Sequence, residues 1–372
     1  MAIKVRKIIE KLEELAPIAL AEAWDNCGLQ IGSGEENVNG ILVALDVDEK
    51  AVDKAQALGA NLIITHHPLF FQGVKKIDYG EPRGQLIRRL ISQGMTVYAA
   101  HTNLDLASGG LNDFLAARLG LVNILPLGKV KIQKLFKLVV FVPESHLEQV
   151  RQGINDAGAG SIGNYRDCSF RQKGIGTFRP LEGSQPFLGE IGALEEADEY
   201  RLEVIVPEEK LNRIVSAMLH THPYEEVAHD IIPLANQGMV YSYGRQGELF
   251  HEVSLLDLAE TVKGCLGLDH VAVAGNHSDR KIKKVGIAAG AGSSMIKIAG
   301  QESCDVLITG DIKYHEAQEA LEKGLSLIDA GHDGLELGVA DMLVPYLTDV
   351  GRKEGWGIDV HGYRAVPLWK RI

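Results

Sequence analysis

The chain has 372 residues, of which 45% are hydrophobic and 24% are charged, a composition typical of a globular protein with two or three domains. The formal net charge of −12 and the lack of a Lys/Arg cluster with interleaved aromatic residues weigh against nucleic-acid binding. No segment reaches the roughly 20 uninterrupted apolar residues that a membrane helix needs. We therefore expect a cytoplasmic protein without a membrane span.

The first 15 residues carry apolar side chains at helical spacing between charged ones. This pattern predicts an amphipathic helix and not a secretion signal. The cysteines lie far apart and form no CxxC pair, so they predict neither a disulfide framework nor a thiolate zinc site; they are Cys27, Cys168, Cys265 and Cys304.

Two related segments near the ends of the chain predict a duplicated fold. Residues 43–65 resemble residues 287–309 without a gap, and each repeat continues to a histidine with an acid four residues later, His101 with Asp105 and His332 with Glu336. Short β-branched runs alternate with helix-length segments, which is typical of an α/β sheet covered on both faces. We expect two related α/β halves that face one another across a shared crevice.

A second pair of similar segments lies between these halves. Residues 138–150 and 202–214 each read as an apolar strand, a proline and an acidic helix start. With a further strand at 227–233, they predict a ferredoxin-like α+β domain. We place this insert at residues 128–237, so that it divides an outer domain of residues 1–127 and 238–372.

Side chains that bind metals follow the predicted strands of both repeats, at the strand ends where ligands bind in open α/β sheets. His66 and His67 follow the strand that ends at Thr65, and the corresponding strand of the second half is followed by Asp311 and His315. A lone histidine pair or HxxxE sequence is more often structural. Three such elements at the strand ends of repeated units indicate a metal site, for zinc, iron, manganese or cobalt.

Five motifs spread over both outer segments are similar to those of one family, the Nif-three-like dinuclear metal proteins, often labelled GTP cyclohydrolase 1 type 2 homologs. The motifs are Trp24–Gly32, Ile64–Pro68, His101–Asp105, Thr309–His315 and Gly331–Glu336. The resemblance implies that two divalent metal ions are held by His66, His67, Asp105, His332 and Glu336. The chain departs from the family pattern inside the last motif, where Asp333 adds a carboxylate that either competes with the ligands or alters the local charge.

The resemblance also implies an activity and an assembly. It implies hydrolysis of a nucleotide-like substrate of the GTP cyclohydrolase 1 type 2 kind, with water activated between two metal ions about 3.5 Å apart. It further implies a CutA/PII-like insert and a ring-shaped homohexamer. The same ligands suit phosphoester hydrolysis equally well, and a metal-binding regulatory or scaffold protein with a sensor-like insert is the alternative from another class.

Four further residues are candidates for catalytic or positioning roles. We expect His101 to lie behind the ligands or to transfer protons, because its half already supplies two imidazoles. Asp25, Asp311 and His315 are candidates for orienting ligands or substrate, since metal-bound imidazoles donate their second N–H to an acceptor. An Asx-turn explains Asp25 equally well. At position 311 we expect substrate or water to be handled, not metal.

Two weaker patterns remain. The Gly290–Ser294 segment follows a strand and precedes a helix, which suits a phosphate cradle, but it lacks the spacing of known phosphate loops and a tight turn is the favoured interpretation. His220 and His222 form an HxH pair. Because they close a predicted helix, an interaction with the helix dipole is favoured over a metal site.

Overall fold

The computed structural model describes residues 2–275 and 281–366. Met1, residues 276–280 and residues 367–372 of the expected outer domain lie outside the described residues. The chain is a mixed α/β protein of two compact units, one built from the segments that end at Val130 and begin at Tyr241, the other spanning Lys131–Val240. The second unit begins and ends three residues later than the expected insert. No helix among the described residues is long and apolar enough to cross a membrane.

A five-stranded sheet carries the first histidine pair. Its strands are parallel except for the edge strand Gly28–Ile31, and their order is Asp359–Tyr363, Gly40–Ala44, Leu62–Thr65, Thr96–Ala99 and Gly28–Ile31. The strands predicted near residues 41–45, 62–64 and 97–98 are thereby confirmed.

A six-stranded mixed sheet belongs to the same unit. Its strand order is Ala272–Ala274, Ser326–Asp329, Val306–Gly310, Lys281–Ala291, Arg245–Ser254 and Val122–Pro126. The three strands predicted from the second repeat lie side by side and parallel. The two sheets also exchange strands: the C-terminal strand Asp359–Tyr363 joins the first sheet, and Val122–Pro126 joins the second.

Alternate residues along the central strands pack on opposite faces, as the pleat of a sheet requires. Ile41 and Ile64 of the first sheet share one buried core with Ile287 and Ile308 of the second. The opposite faces pack in separate clusters, which include Leu42, Ile63 and Val97 in one case and Ala288, Leu307 and Leu327 in the other. Both sheets are therefore covered on both faces, as expected from their uninterrupted apolar runs.

Helices connect the strands of this unit and begin at recognisable signals. The Asp48 carboxylate accepts a hydrogen bond from Ala51 N at 2.7 Å, and Ser254 Oγ accepts one from Asp257 N at 3.1 Å, so each caps a helix. The helices are Val5–Leu15, Glu49–Ala57, Pro82–Ser92, Thr102–Leu106, Leu111–Arg118, Leu255–Leu266, Ile296–Gln301, Tyr314–Glu322, His332–Glu336 and Val339–Glu354. This unit also has three-residue 3-10 turns at Ile18–Leu20 and Ser293–Met295 and a short antiparallel pair, Ile3–Lys4 with Asn37–Val38.

The second unit contains a four-stranded antiparallel sheet and two helices. Along the chain the order is strand, helix, strand, strand, helix, strand: Leu135–Pro143, Leu147–Asp156, Ser169–Phe178, Glu195–Pro207, Leu211–Thr221 and His229–Pro233. In the sheet, the second strand lies at one edge, followed by the third, the first and the fourth. Sequence reasoning missed Ser169–Phe178 because this edge strand buries no face, so its sequence lacks the alternation that marks a half-buried strand.

Candidate metal centre

His66 lies directly after the central strand Leu62–Thr65 and is fully buried. Its Nδ1 donates a hydrogen bond to the Ala100 carbonyl at 2.8 Å, which fixes the ring and leaves Nε2 facing inward. Nε2 lies 3.5 Å from Asp105 Oδ1 and 3.7 Å from Glu336 Oε1. Both Nε2 of His66 and Oδ1 of Asp105 are buried without a hydrogen-bond partner. Such a pair of unsatisfied polar atoms is costly unless a ligand completes it.

His67 faces the same point from the next position of the chain. Its Nδ1 donates to Asp46 at 2.8 Å, and its Nε2 lies 2.9 Å from Glu336 Oε2. Burial lowers the pKa of His67, but the hydrogen bonds to Asp46 and Glu336 outweigh this effect and raise the pKa to about 10. Sequence reasoning missed Asp46, although this residue follows the strand Gly40–Ala44 at the same edge of the sheet.

His332 and Glu336 come from the short helix His332–Glu336 in the second half of the chain. His332 Nδ1 donates to Asp311 at 2.8 Å, while Nε2 lies 3.1 Å from Glu336 Oε2. The hydrogen bond to Glu336 raises the pKa of His332 to about 9, and Asp311 acts in the same direction. Asp311 therefore lies where it can orient an imidazole, which is one of the roles expected for it, and the handling of substrate or water at this position stays a prediction.

Of the two carboxylates in the cluster, Glu336 is buried and Asp105 is half-buried, and their pKa values shift in opposite directions. Burial raises the pKa of Glu336, but the adjacent imidazoles of His332, His66 and His67 hold it well below its usual range. Burial also raises the pKa of Asp105, and the negative charge of Glu336 adds to this effect although His66 opposes it. Glu336 is thus an ionised acceptor between the imidazoles of His67 and His332, whereas burial and the charge of Glu336 disfavour the ionised form of Asp105.

His101 lies beside His66 and His67 in the cluster. Its Nδ1 lies 3.0 Å from both oxygens of Asp25. Asp25 also accepts hydrogen bonds from the Thr102 hydroxyl at 2.5 Å and the Cys27 thiol at 3.0 Å. Burial raises the pKa of Asp25, but the bonds from His101, Cys27 and Thr102 lower it below its usual range. Asp25 is therefore an ionised acceptor that orients the ring of His101. The same carboxylate also accepts a hydrogen bond from Asn26 N.

Ligand atoms of the cluster fall into two groups that overlap at His67. Those of His66, His67 and His101 lie within 4.8 Å of one another, as do those of His67, His332 and Glu336. His101 is thus positioned as a further candidate ligand, and the role expected for it, behind the ligands or in proton transfer, stays a prediction. Every imidazole has Nδ1 held by an oxygen acceptor and Nε2 directed inward, which is how proteins orient histidine ligands. With Asp105 and Glu336 these donors fit a divalent transition metal.

A cleft of about 510 Å³ opens beside His67 and Asp46. Two exposed aromatic rings also border the cluster: Trp24 is 65% exposed and Phe71 is 50% exposed. Their ring centroids lie 6.2 Å and 5.8 Å from that of His101, both nearly perpendicular to it. A planar ligand therefore has both a volume and aromatic faces available next to the candidate metal ligands.

Three sequence patterns lie elsewhere. His315 is exposed on the helix Tyr314–Glu322, where its ring packs against Tyr314, and it belongs to neither ligand group of the described residues. In the Gly290–Ser294 segment, Gly292 N donates to the Thr309 hydroxyl at 3.0 Å, and a Cβ at position 292 would overlap that hydroxyl. This packing supports the tight turn. His222 uses both ring nitrogens within its own unit, with Phe141 O and Tyr224 N.

Comparison with known proteins gives the family. Residues 3–366 match the Duf34/NIF3 (NGG1p interacting factor 3) family. Two relatives are named GTP cyclohydrolase 1 type 2 homolog. The protein from Halalkalibacterium halodurans is 41% identical to this chain over 92% of both chains, and the protein from Bacillus subtilis is 40% identical over 95% of both chains. A Bacillus cereus protein related to NIF3 has a solved structure with a TM-score of 0.89 and 39% identity over the full length of both chains. A Staphylococcus aureus protein has a TM-score of 0.78 and 29% identity over 100% of this chain and 99% of its own.

Fold and site together define a mixed α/β protein with a histidine–carboxylate cluster at the carboxyl ends of its strands. The chain belongs to the Duf34/NIF3 family, as its sequence motifs predict.

Proposed function

We propose that this protein is a dinuclear metal-dependent hydrolase of the GTP cyclohydrolase 1 type 2 kind. The observation that carries the proposal is the inward-facing, unpartnered pair of His66 Nε2 and Asp105 Oδ1 within the cluster of anchored imidazoles. The ligands we propose are the five predicted from the sequence together with His101: His66, His67, His101, Asp105, His332 and Glu336. When bound, two divalent ions would supply Lewis-acid activation of water for hydrolysis.

Carboxylates next to the candidate ligands orient the imidazole rings for metal binding. Asp25, Asp46 and Asp311 each hold the Nδ1 proton of one imidazole, so that the ring presents a neutral Nε2 to a metal once its second proton is released. A carboxylate behind a metal-bound imidazole also raises its strength as a ligand.

For the substrate we propose a molecule with a planar ring, in keeping with the name of the relatives. Trp24 and Phe71 offer faces on which a nucleobase stacks. Their loops are tied together, because Asn26 donates to Phe70 O at 2.6 Å and Phe70 N donates to Gln30 at 3.2 Å. Asp46, Asp48 and Glu49 line the neighbouring cleft with a single arginine, and this acidic lining disfavours a phosphate group there.

We further propose the architecture that the sequence motifs imply. The outer unit would be a duplicated α/β domain, the insert a ferredoxin-like domain of the CutA/PII kind, and the assembly a ring-shaped homohexamer. The four-strand order of the insert supports the second of these. Light scattering of the purified chain tests the third, since a monomer or dimer at micromolar concentration contradicts it.

The decisive experiment measures metal content together with anomalous scattering on the wild type and on His66→Ala, with His315→Ala as the matched control. We expect up to two ions in the wild type and in the control, and the loss of at least one in His66→Ala. Unchanged metal in His66→Ala contradicts the ligand assignment. Loaded protein that turns over neither GTP nor a panel of phosphoesters contradicts the hydrolase, and leaves a metal-binding regulatory or scaffold protein as the alternative.

A further inference from the structure

The second unit contains a buried carboxylate without a cationic partner. Glu199, on the strand Glu195–Pro207, is only 8% exposed and forms no ion pair within the part of the chain that the structure describes. Glu203, on the same strand, contrasts with it, because Lys137 and Arg201 lie 2.6 Å and 2.8 Å from its carboxylate. The carboxylate oxygens of Glu199 are not among the buried polar atoms that lack a hydrogen-bond partner, so this negative charge, which has no cation beside it among the described residues, is open to a ligand from solvent.

One aromatic side chain, Tyr224, lies beside this carboxylate and packs against two phenylalanines. The Tyr224 hydroxyl is buried beside Glu199 without completing a hydrogen bond of normal geometry, and burial together with Glu199 raises the pKa of Tyr224. The Tyr224 ring centroid lies 6.2 Å from that of Phe178 and 6.0 Å from that of Phe187. Phe187 is 46% exposed, so this aromatic group reaches the surface.

The backbone leaves room next to the carboxylate. Gly174, in the edge strand Ser169–Phe178, pairs directly with Glu199 on the neighbouring strand. Directly paired residues of antiparallel strands project to the same face of the sheet. Because glycine has no side chain, that face is open beside Glu199. A Cβ at position 174 would meet no atom within 4 Å. Gly176, one step along the same face, lies under the carboxylate, and a Cβ there would overlap it.

The donors at this place suit an organic cation better than a metal ion. His222 packs against Tyr224 at 4.9 Å between ring centroids, but both of its nitrogens already have backbone partners. A single carboxylate is too few ligands for a divalent ion. Aromatic faces around a carboxylate attract alkylammonium groups through cation–π and ionic interactions.

We propose that Glu199, Tyr224, Phe178 and Phe187 form a binding site for an organic ammonium ion in the inserted unit. The site gives the HTHPYEE segment, residues 220–226, a role that the metal cluster does not require. The ligand's positive charge offsets the charge of Glu199, and its alkyl groups pack against the rings. This site is independent of the hydrolase proposal, because none of its residues belongs to the metal cluster.

The test is calorimetric titration of the full-length chain with tetramethylammonium chloride, against sodium chloride at equal ionic strength. We expect saturable binding that weakens at least about tenfold in Glu199→Gln and in Gly174→Val, which fits the strand but fills the open face. Equal affinity in Glu199→Gln, or no saturable heat in the wild type, overturns the proposal. So does binding of Zn²⁺ or Ca²⁺ at Glu199 with no response to tetramethylammonium.

Melting temperatures separate ligand binding from a purely structural role. If Glu199 served only to hold Tyr224, Glu199→Gln would lower the melting temperature of the ligand-free chain, and Tyr224→Phe would do the same. If the carboxylate is uncompensated until a ligand arrives, Glu199→Gln leaves the melting temperature unchanged or raises it. We expect the second result, and a lowered melting temperature without tetramethylammonium binding contradicts the site.

Discussion

Gly290 lies so close to Glu336 that a Cβ atom at position 290 would overlap Oε1 of that carboxylate. The backbone of Gly290 has a φ of +62°, which lies in the left-handed region that residues other than glycine rarely adopt. Two independent constraints therefore require glycine beside the carboxylate that lies between His67 and His332. The segment that looked like a phosphate cradle in the sequence makes room for a candidate metal ligand.

The substitution Gly290→Ala should displace Glu336 and strain the backbone at once. We expect the free energy of unfolding to fall by about 1–3 kcal/mol and the bound metal to decrease. Urea unfolding and metal analysis measure the two effects. Gly300→Ala is the control, because Gly300 lies in the helix Ile296–Gln301 and a Cβ there meets nothing within 4 Å. Wild-type metal content in Gly290→Ala would show that Glu336 is not a ligand.

Asp46→Asn should weaken metal binding without removing any ligand. The amide oxygen still accepts the Nδ1 hydrogen bond of His67 but lacks the charge that strengthens the imidazole as a donor. We expect the metal affinity to fall about 10–100-fold, measured by competition with a chelating indicator. Asp48→Asn, at the cap of the helix Glu49–Ala57, should leave the affinity unchanged. Equal affinities in all three proteins would mean that His67 binds no metal.

Arg245 should stabilise the chain segment that follows Asp105. It is 2% exposed, forms an ion pair with Asp113 at 2.7 Å and donates to the Ala107 carbonyl at 2.7 Å. Arg245→Met leaves Asp113 and buried carbonyls without their donor, so we expect a loss of about 3–5 kcal/mol in urea unfolding. The exposed pair of Arg352 and Asp349 is the control, and Arg352→Met should cost under about 1 kcal/mol. Similar losses in the two variants would contradict the role of Arg245.

His222 should make the inserted unit less stable in mild acid. Burial lowers its pKa below the ordinary value of 6.5, although the hydrogen bond to Phe141 O opposes this effect. Because the unfolded chain takes up the proton first, the stability present above pH 6.5 is lost as the pH falls from there towards the lower folded-state pKa. Hydrogen exchange in the strand Leu135–Pro143, corrected for the intrinsic rate, should therefore accelerate over this range.

The variant His222→Gln should remove this acid sensitivity, since glutamine does not titrate, even though its stability at neutral pH is lower. His220→Gln, at an exposed position, should keep it. An acid response that persists in His222→Gln would assign the effect to another group.

Local sequence was sufficient for the elements that its own periodicity specifies. The runs at 41–45, 62–64 and 306–308 became central strands because fully buried strands need continuous apolar sequence, and helices began where Asp48 and Ser254 supply caps. The edge strand Ser169–Phe178 could not be predicted, since it has no buried face that would require alternating apolar and polar residues.

The sequence by itself determined which side chains stand at the ends of strands, because strand ends and turns are set by residues close together in the chain. His66, His67, His332 and Glu336 could be selected in this way. The partners of these residues were decided only by the tertiary structure: Glu336 reaches His67 across 269 positions, and Asp25 reaches His101 across 76. The interaction of Glu199 with Tyr224 likewise joins a strand to a turn that follows 25 positions later in the chain. Such pairings follow from sheet order and from the exchange of strands between the two sheets, which no local periodicity encodes.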